Sequence, residues 1–288
     1  MLFLVTVVLA WGLTWPVNKA LLRYLPPLWA VALRTAIAAL ALVAVAWFRG
    51  RLVPPPRGDV PVLLSITLLH MVGFTVLSTW GLALVPAGRS VVLAYTTPLW
   101  VIPGAWLFLG ERLTRRRAAG VGIGLLGLLV LFNPSALDWG DRGVVLGHLA
   151  IVAAAMLWAG SILHIRGHPW RSTPFELLPW ETLLATGILT VLAMAFSTFP
   201  AVEWTPTVVL LVLYASLPGS ALAYWAVAMA SRKLPAVTTS LGLLATPVVS
   251  VIAAWVFLGE PLTPTLIVAV VLILGGVALG TTEPVAGQ

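Results

Sequence analysis

Apolar runs of about 20 residues follow one another along the whole chain, with short gaps rich in proline and arginine between them. Coiled as a helix, such a run crosses a hydrocarbon core of roughly 30 Å. Ten spans fit, at 2–22, 29–48, 60–82, 89–109, 116–133, 143–164, 176–198, 207–229, 236–258 and 264–281. The gaps hold the stoppers that helix ends require, among them Pro26-Pro27, Pro54-Pro55-Pro56, Asn133-Pro134, Pro169 and Pro200. None is long enough to fold as a soluble domain. The pattern predicts an all-α membrane protein that does its work inside the bilayer.

Composition agrees and narrows the function classes. Of 288 residues 60% are hydrophobic and 9% charged, with a mean hydropathy of +1.06. Soluble domains carry about 25% charged residues. The formal charge of +7 sits on short loops rather than a basic domain, so it orients spans and does not point to nucleic acid. With no cysteine there is no disulfide, thiolate metal site or thiol nucleophile. The first run lacks a basic leader and a small-residue cleavage site, and reads as a span rather than a signal peptide.

With the N-terminus placed in the cytoplasm, the cytoplasmic gaps hold Arg49, Arg51, Arg57, Arg112, Arg115, Arg116, Arg117, Arg166, Arg171, Arg232 and Lys233. The opposite side holds Lys19, Arg23, Arg89 and Arg142. That bias predicts cytoplasmic termini.

The same charges give meaning to an internal repeat. TTPLWVIPGAWLFLGERLT (96–114) returns as ATPVVSVIAAWVFLGEPLT (245–263), identical at ten positions. Arg115, Arg116 and Arg117 follow the first copy, whereas Pro264, Thr265 and Leu266 follow the second. Weaker echoes pair Trp11-Gly12-Leu13-Thr14 with Trp158-Ala159-Gly160-Ser161, and Trp80-Gly81-Leu82-Ala83 with Trp225-Ala226-Val227-Ala228. Five spans per half is an odd number, so the second half enters the membrane upside down. The expected fold is ten transmembrane helices as two inverted five-helix repeats, 1–134 and 143–282. Such repeats build secondary transporters, where rocking exposes a midplane site to each side in turn.

Ten spans as five plus five, a Trp-Gly first helix, the paired FLGE-x-LT and the matching Pro86-Ala87 and Pro235-Ala236 resemble the EamA branch of the drug/metabolite transporter superfamily. The likeness covers nearly the whole chain and is greatest to bacterial exporters of aromatic and other neutral amino acids. One departure is an excess of about four residues near Ser231 to Leu234. The resemblance implies helices around a central cavity, a bacterial inner-membrane location, and export of small metabolites, with no enzyme activity and no cofactor.

Polar and aromatic residues inside spans are the candidate substrate contacts. Trp11, Thr14, Trp15 and Asn18 share one face of span 1. A buried Asn needs hydrogen-bond partners, which a watered cavity supplies; a cap near the outer end is the other possibility. His70, Phe74 and Ser78 share a face of span 3, where His70 is either a functional group or a neutral ring bonded to backbone. Tyr95, Trp100, Trp158, Ser161 and Tyr224 complete the expected cavity wall, with Ser216 and Ser220 beside Tyr224's face. Pro98 and Pro247, in spans 4 and 9, suit gating hinges or static kinks.

Other features carry less. The GxGxxG of Gly122 to Gly127 has no preceding strand and reads as a packing face, as does Gly276 to Gly280. Those faces suit packing within one chain or a homodimer contact. Glu176 and Glu181 do not share a face well, and a solvated or Arg-paired carboxylate is expected at each. Arg34 could clamp a carboxylate, but it lies about two turns from a span end, where snorkelling is expected. There is no P-loop and no Asp within a span, so proton coupling would fall to His70 or Glu181. The competing class is a membrane-embedded enzyme using His70, His164 and Glu181, but no nucleophile–base or metal-ligand spacing accompanies them. Hydroxyls, an amide and aromatics suit a neutral or zwitterionic solute, with lipid the only other expected partner.

Overall fold

The structure, a computed structural model, describes residues 1–132, 138–233 and 242–281. Asn133-Pro134, Pro235-Ala236 and the first residues of the expected ninth span lie outside the described residues. The elements are α1 (Leu2–Leu21), α2 (Pro27–Phe48), α3 (Arg57–Leu84), α4 (Ala87–Leu109), α5 (Arg115–Leu131), α6 (Arg142–Gly167), α7 (Pro174–Phe196), α8 (Pro206–Val227, helical on to Lys233), α9 (Ala245–Leu258) and α10 (Pro264–Thr281). Eight of these are long and apolar enough to cross a bilayer; α9 is a shorter apolar helix of 14 residues. α5, expected as a span, has 17 residues and opens on three arginines. Exposed Leu40, Phe48, Leu107, Leu129, Met194, Leu210 and Val271 give the molecule an apolar perimeter, as lipid requires.

The repeated motif is a helix stop followed by a helix start. Gly110 and Gly259 both adopt φ of 68°, a left-handed conformation that glycine takes without steric cost. The N–H groups of Glu111 and Glu260 then reach back to the carbonyls of Ala105 and Ala254, at 3.2 and 3.3 Å. Thr114 and Thr263, the last residues of the two copies, begin α5 and α10 by accepting from Arg117 N–H and Leu266 N–H. Both copies therefore terminate one helix and cap the next.

The two glutamates bind different things at opposite ends of α4. Glu111, just past its C-terminus, pairs with Arg117 at 3.1 Å and with Arg166 of α6. Glu260 accepts from Ala87 and Gly88 N–H, at 2.6 and 2.9 Å, at the N-terminus of α4. The 23 residues of α4 place these sites roughly 30 Å apart. Beside Glu260, the Lys19 ammonium donates to the carbonyls of Leu82 and Val85 at the C-terminus of α3. Anion at a helix start and cation at a helix end both complement the helix dipole.

At the Arg-rich end, fully buried Asp59 accepts from Arg171 N–H, Ser172 N–H, the Ser172 hydroxyl and His168 Nε2, tying the start of α3 to the α6–α7 connection. Elsewhere glycine sets the spacing. Gly120 and Gly124 of α5 meet Gly276 of α10 so closely that a Cβ on Gly276 would stand 2.5 Å from the Gly120 carbonyl. Gly122, the first glycine of the GxGxxG pattern, faces open space. These small-residue faces are used within the chain.

Candidate functional site

The cavity lies where α1, α2, α3, α4, α6 and α8 converge. Its wall consists of Trp11, Thr14, Trp15 and Asn18 from α1, Arg34 from α2, and His70, Phe74, Thr75, Ser78, Thr79 and Leu82 from α3. Tyr95 of α4, Trp158 of α6 and Gly219, Ser220 and Tyr224 of α8 complete it. The atom-free space, open mouth included, is about 690 Å³.

Six of the aromatic rings, those of Trp11, Tyr224, His70, Trp158, Phe74 and Tyr95, neighbour one another in a continuous chain. His70 lies flat on Trp158, with ring centroids 5.0 Å apart and planes 7° from parallel. Phe74 and Tyr95 meet Trp158 at 5.1 and 6.4 Å. Tyr224 stands edge-on to both His70 and Trp11, at 6.2 and 6.3 Å. Hydroxyls are interspersed among them in the wall, from Thr14, Thr75, Ser78, Thr79 and Ser220. The Thr14 hydroxyl donates to the Ala10 carbonyl at 2.6 Å, which leaves both lone pairs of its oxygen as acceptors.

Local backbone irregularity brings these groups together. α3 is π-helical over Ile66–Phe74, and α8 over Leu217–Leu222. In each the hydrogen bonds run i→i+5, a rare widening that rotates the following side chains. Thr75 donates to the His70 carbonyl at 3.3 Å and Ser220 to the Ala215 carbonyl at 2.8 Å, each five residues back. Thr75 and His70 precede Ser220 and Ala215 by the same interval that separates Trp80 from Trp225. The two widened stretches thus stand at the same offset as the two tryptophan motifs.

α4 breaks at Tyr95 and Thr96, and Pro98 occupies the first turn of the segment that follows. The missing proline N–H leaves the Ala94 carbonyl free, and the Thr97 hydroxyl takes it at 2.8 Å. Pro247 likewise sits in the first turn of α9. Both prolines start helical segments instead of interrupting them.

Ten of the expected contact residues line this cavity: Trp11, Thr14, Trp15, Asn18, His70, Phe74, Ser78, Tyr95, Trp158 and Tyr224. Trp100 and Ser161 do not; Trp100 bonds the Thr96 hydroxyl at 3.2 Å, and Ser161 is fully buried. Two expectations are corrected. Arg34 does not snorkel to a span end but lines the cavity, because α2 turns that face inward against α3 and α8. Glu181 is 4% exposed, and among the described residues no ion pair holds it. Glu176, by contrast, serves as the capping carboxylate for Thr173 at the start of α7. Thr75 and Thr79, which sequence reasoning missed, share the helix stripe of Ser78 and Leu82, a signal that spacing could have given. Among the described residues no group of His, Asp and Glu could hold a metal ion.

Known proteins agree with this architecture. The model of the EamA-like transporter family matches residues 1–133 and again 145–282. An uncharacterized transporter of Bacillus subtilis (strain 168) is 25% identical over 98% of this chain and 96% of its own length. A probable amino-acid metabolite efflux pump of Salmonella typhimurium is 31% identical over 94% of this chain and 90% of its own. A probable terminal-alkyne amino-acid exporter of Streptantibioticus cattleyicolor is 29% identical, covering 85% and 81%. One solved crystal structure superposes with a TM-score of 0.69 over 97% of this chain and 96% of that one; at 24% identity it bears on the fold alone. A family model matched twice, over nearly every residue, and relatives that are transporters rather than enzymes make this chain a multi-pass membrane protein of the EamA-like transporter family.

Proposed function

We propose that this chain is a secondary transporter that exports small neutral metabolites, foremost amino acids including aromatic ones, by alternating access through the cavity. The observation that carries the substrate class is the wall itself. Stacked aromatic rings together with an amide and hydroxyls in one wall suit a solute with an apolar body and a polar head. The names of the Salmonella and Streptantibioticus relatives point the same way.

The mechanism rests on ten spans arranged as two inverted halves, 1–134 and 143–282, in a bacterial inner membrane with both termini cytoplasmic. Helices of both halves wall the cavity, so rocking one half against the other would open it alternately to each side. In that orientation the Lys19 and Glu260 contacts close the outer end, and Pro98 and Pro247 start the segments that would swing. Solute counterflow tests the substrate class. Purified protein in liposomes loaded with a neutral amino acid is expected to accumulate the labelled compound from outside. Lack of exchange for every neutral amino acid would overturn the substrate class.

A further inference from the structure

Arg34 places a guanidinium in the wall of the cavity, seven residues into α2 and about 10 Å along its axis. Among the described residues no hydrogen bond or ion pair occupies it, and no cavity-lining residue is Asp or Glu. Glu181, a buried carboxylate on α7, makes no ion pair with it and is not part of the wall. Tyr224 stands beside Arg34, and Asn18 and Thr79 share a small side recess with it. A cation this deep in an apolar medium requires a counter-charge or water. Its planar fork fits a carboxylate through two parallel hydrogen bonds.

We infer that Arg34 receives the carboxylate of the transported solute, and that the cavity recognises this group rather than an ammonium. Resting on the cavity as the transport site, this widens the substrate class from amino acids to apolar and aromatic monocarboxylates. An amino group, where present, meets no carboxylate in the wall, only neutral acceptors such as Asn18 and Thr14 and the weaker cation–π attraction of aromatic faces. It is therefore dispensable.

Calorimetric titration of the purified protein in micelles with three probes tests this. The probes are phenylalanine, 3-phenylpropionate, which lacks the amine, and phenethylamine, which lacks the carboxylate. Phenylpropionate is expected within about threefold of phenylalanine, and phenethylamine at least roughly tenfold weaker, since a charge-assisted pair is lost. Arg34→Gln is expected to weaken both acids by tenfold or more and Arg34→Lys by less, with phenethylamine unchanged. The wild-type series decides even if neither variant folds. Phenethylamine binding as tightly as phenylpropionate overturns the inference, as does an Arg34→Gln protein that keeps the acid preference. Binding of the acids that survives Trp158→Ala and Tyr224→Ala would instead overturn the cavity as the site. No binding of any probe overturns both.

Discussion

His70 stacks nearly parallel on Trp158, and Phe74 and Tyr95 close on the same indole. Removing Trp158 therefore unsupports three aromatic neighbours as well as losing its own contact with a solute. Trp158→Ala is expected to lower counterflow by at least about tenfold, because aromatic pairs contribute roughly 0.5–1.5 kcal/mol each beyond burial. Trp100→Ala, whose indole bonds Thr96 outside the wall, is the matched control and should lose much less. Equal losses in the two variants would contradict this placement of the site. Asn18→Ala should reduce exchange while leaving insertion intact, since no hydrogen bond within the described protein depends on its amide. Residue spacing made the α1 stripe legible, because four unlike polar and aromatic residues at helical intervals have few reasons to face lipid. Arg34 was not legible in the same way. Distance from a span end says how far an arginine could snorkel, but the rotation of α2 about its axis is set by packing on α3, α7 and α8.

At the scale of elements, the FLGE-x-LT motif was visible as a repetition, and its purpose as a stop and a start became visible only in the backbone. Gly110 and Gly259 have open space where a Cβ would stand, so alanine there meets no neighbour and costs only the left-handed strain. Each substitution is expected to destabilise the protein by about 1 kcal/mol, read as a small fall in thermal unfolding temperature in micelles. Gly276→Val is a different case. Its side chain would run into the backbone of Gly120 and Gly124, at 2.5 and 2.6 Å, and backbone cannot step aside as a side chain can. A loss of about 2–4 kcal/mol, or failure to purify as a folded monodisperse protein, is expected. If Gly276→Val unfolds no earlier than Gly259→Ala, the α5–α10 contact is looser than described. The π-helical stretches of α3 and α8 had no signal in the hydrophobic pattern, which reports faces and spacing but not a single shifted hydrogen bond.

For the whole molecule, the decisive contrast is between the two copies of one motif. Sequence supplied the contrast through Arg115, Arg116 and Arg117, and the structure separates the copies along α4, one capping its start and one lying past its end. If the halves are inverted in the membrane, the leucines of the two LT dipeptides must meet different compartments. Leu113 and Leu262 are comparably exposed, at 40% and 37%, and neither carries charge, so replacing them leaves the positive-inside bias untouched. The chain contains no cysteine, and single-cysteine variants can therefore be read without background. Leu262→Cys is expected to react with a membrane-impermeant maleimide in intact cells stripped of their outer barrier. Leu113→Cys should react only after the membrane is permeabilised. Labelling of both from one side would refute the inverted arrangement itself. A clean reversal would keep the inversion and overturn the orientation, placing the Lys19 and Glu260 contacts at the cytoplasmic mouth of the cavity instead of the outer one.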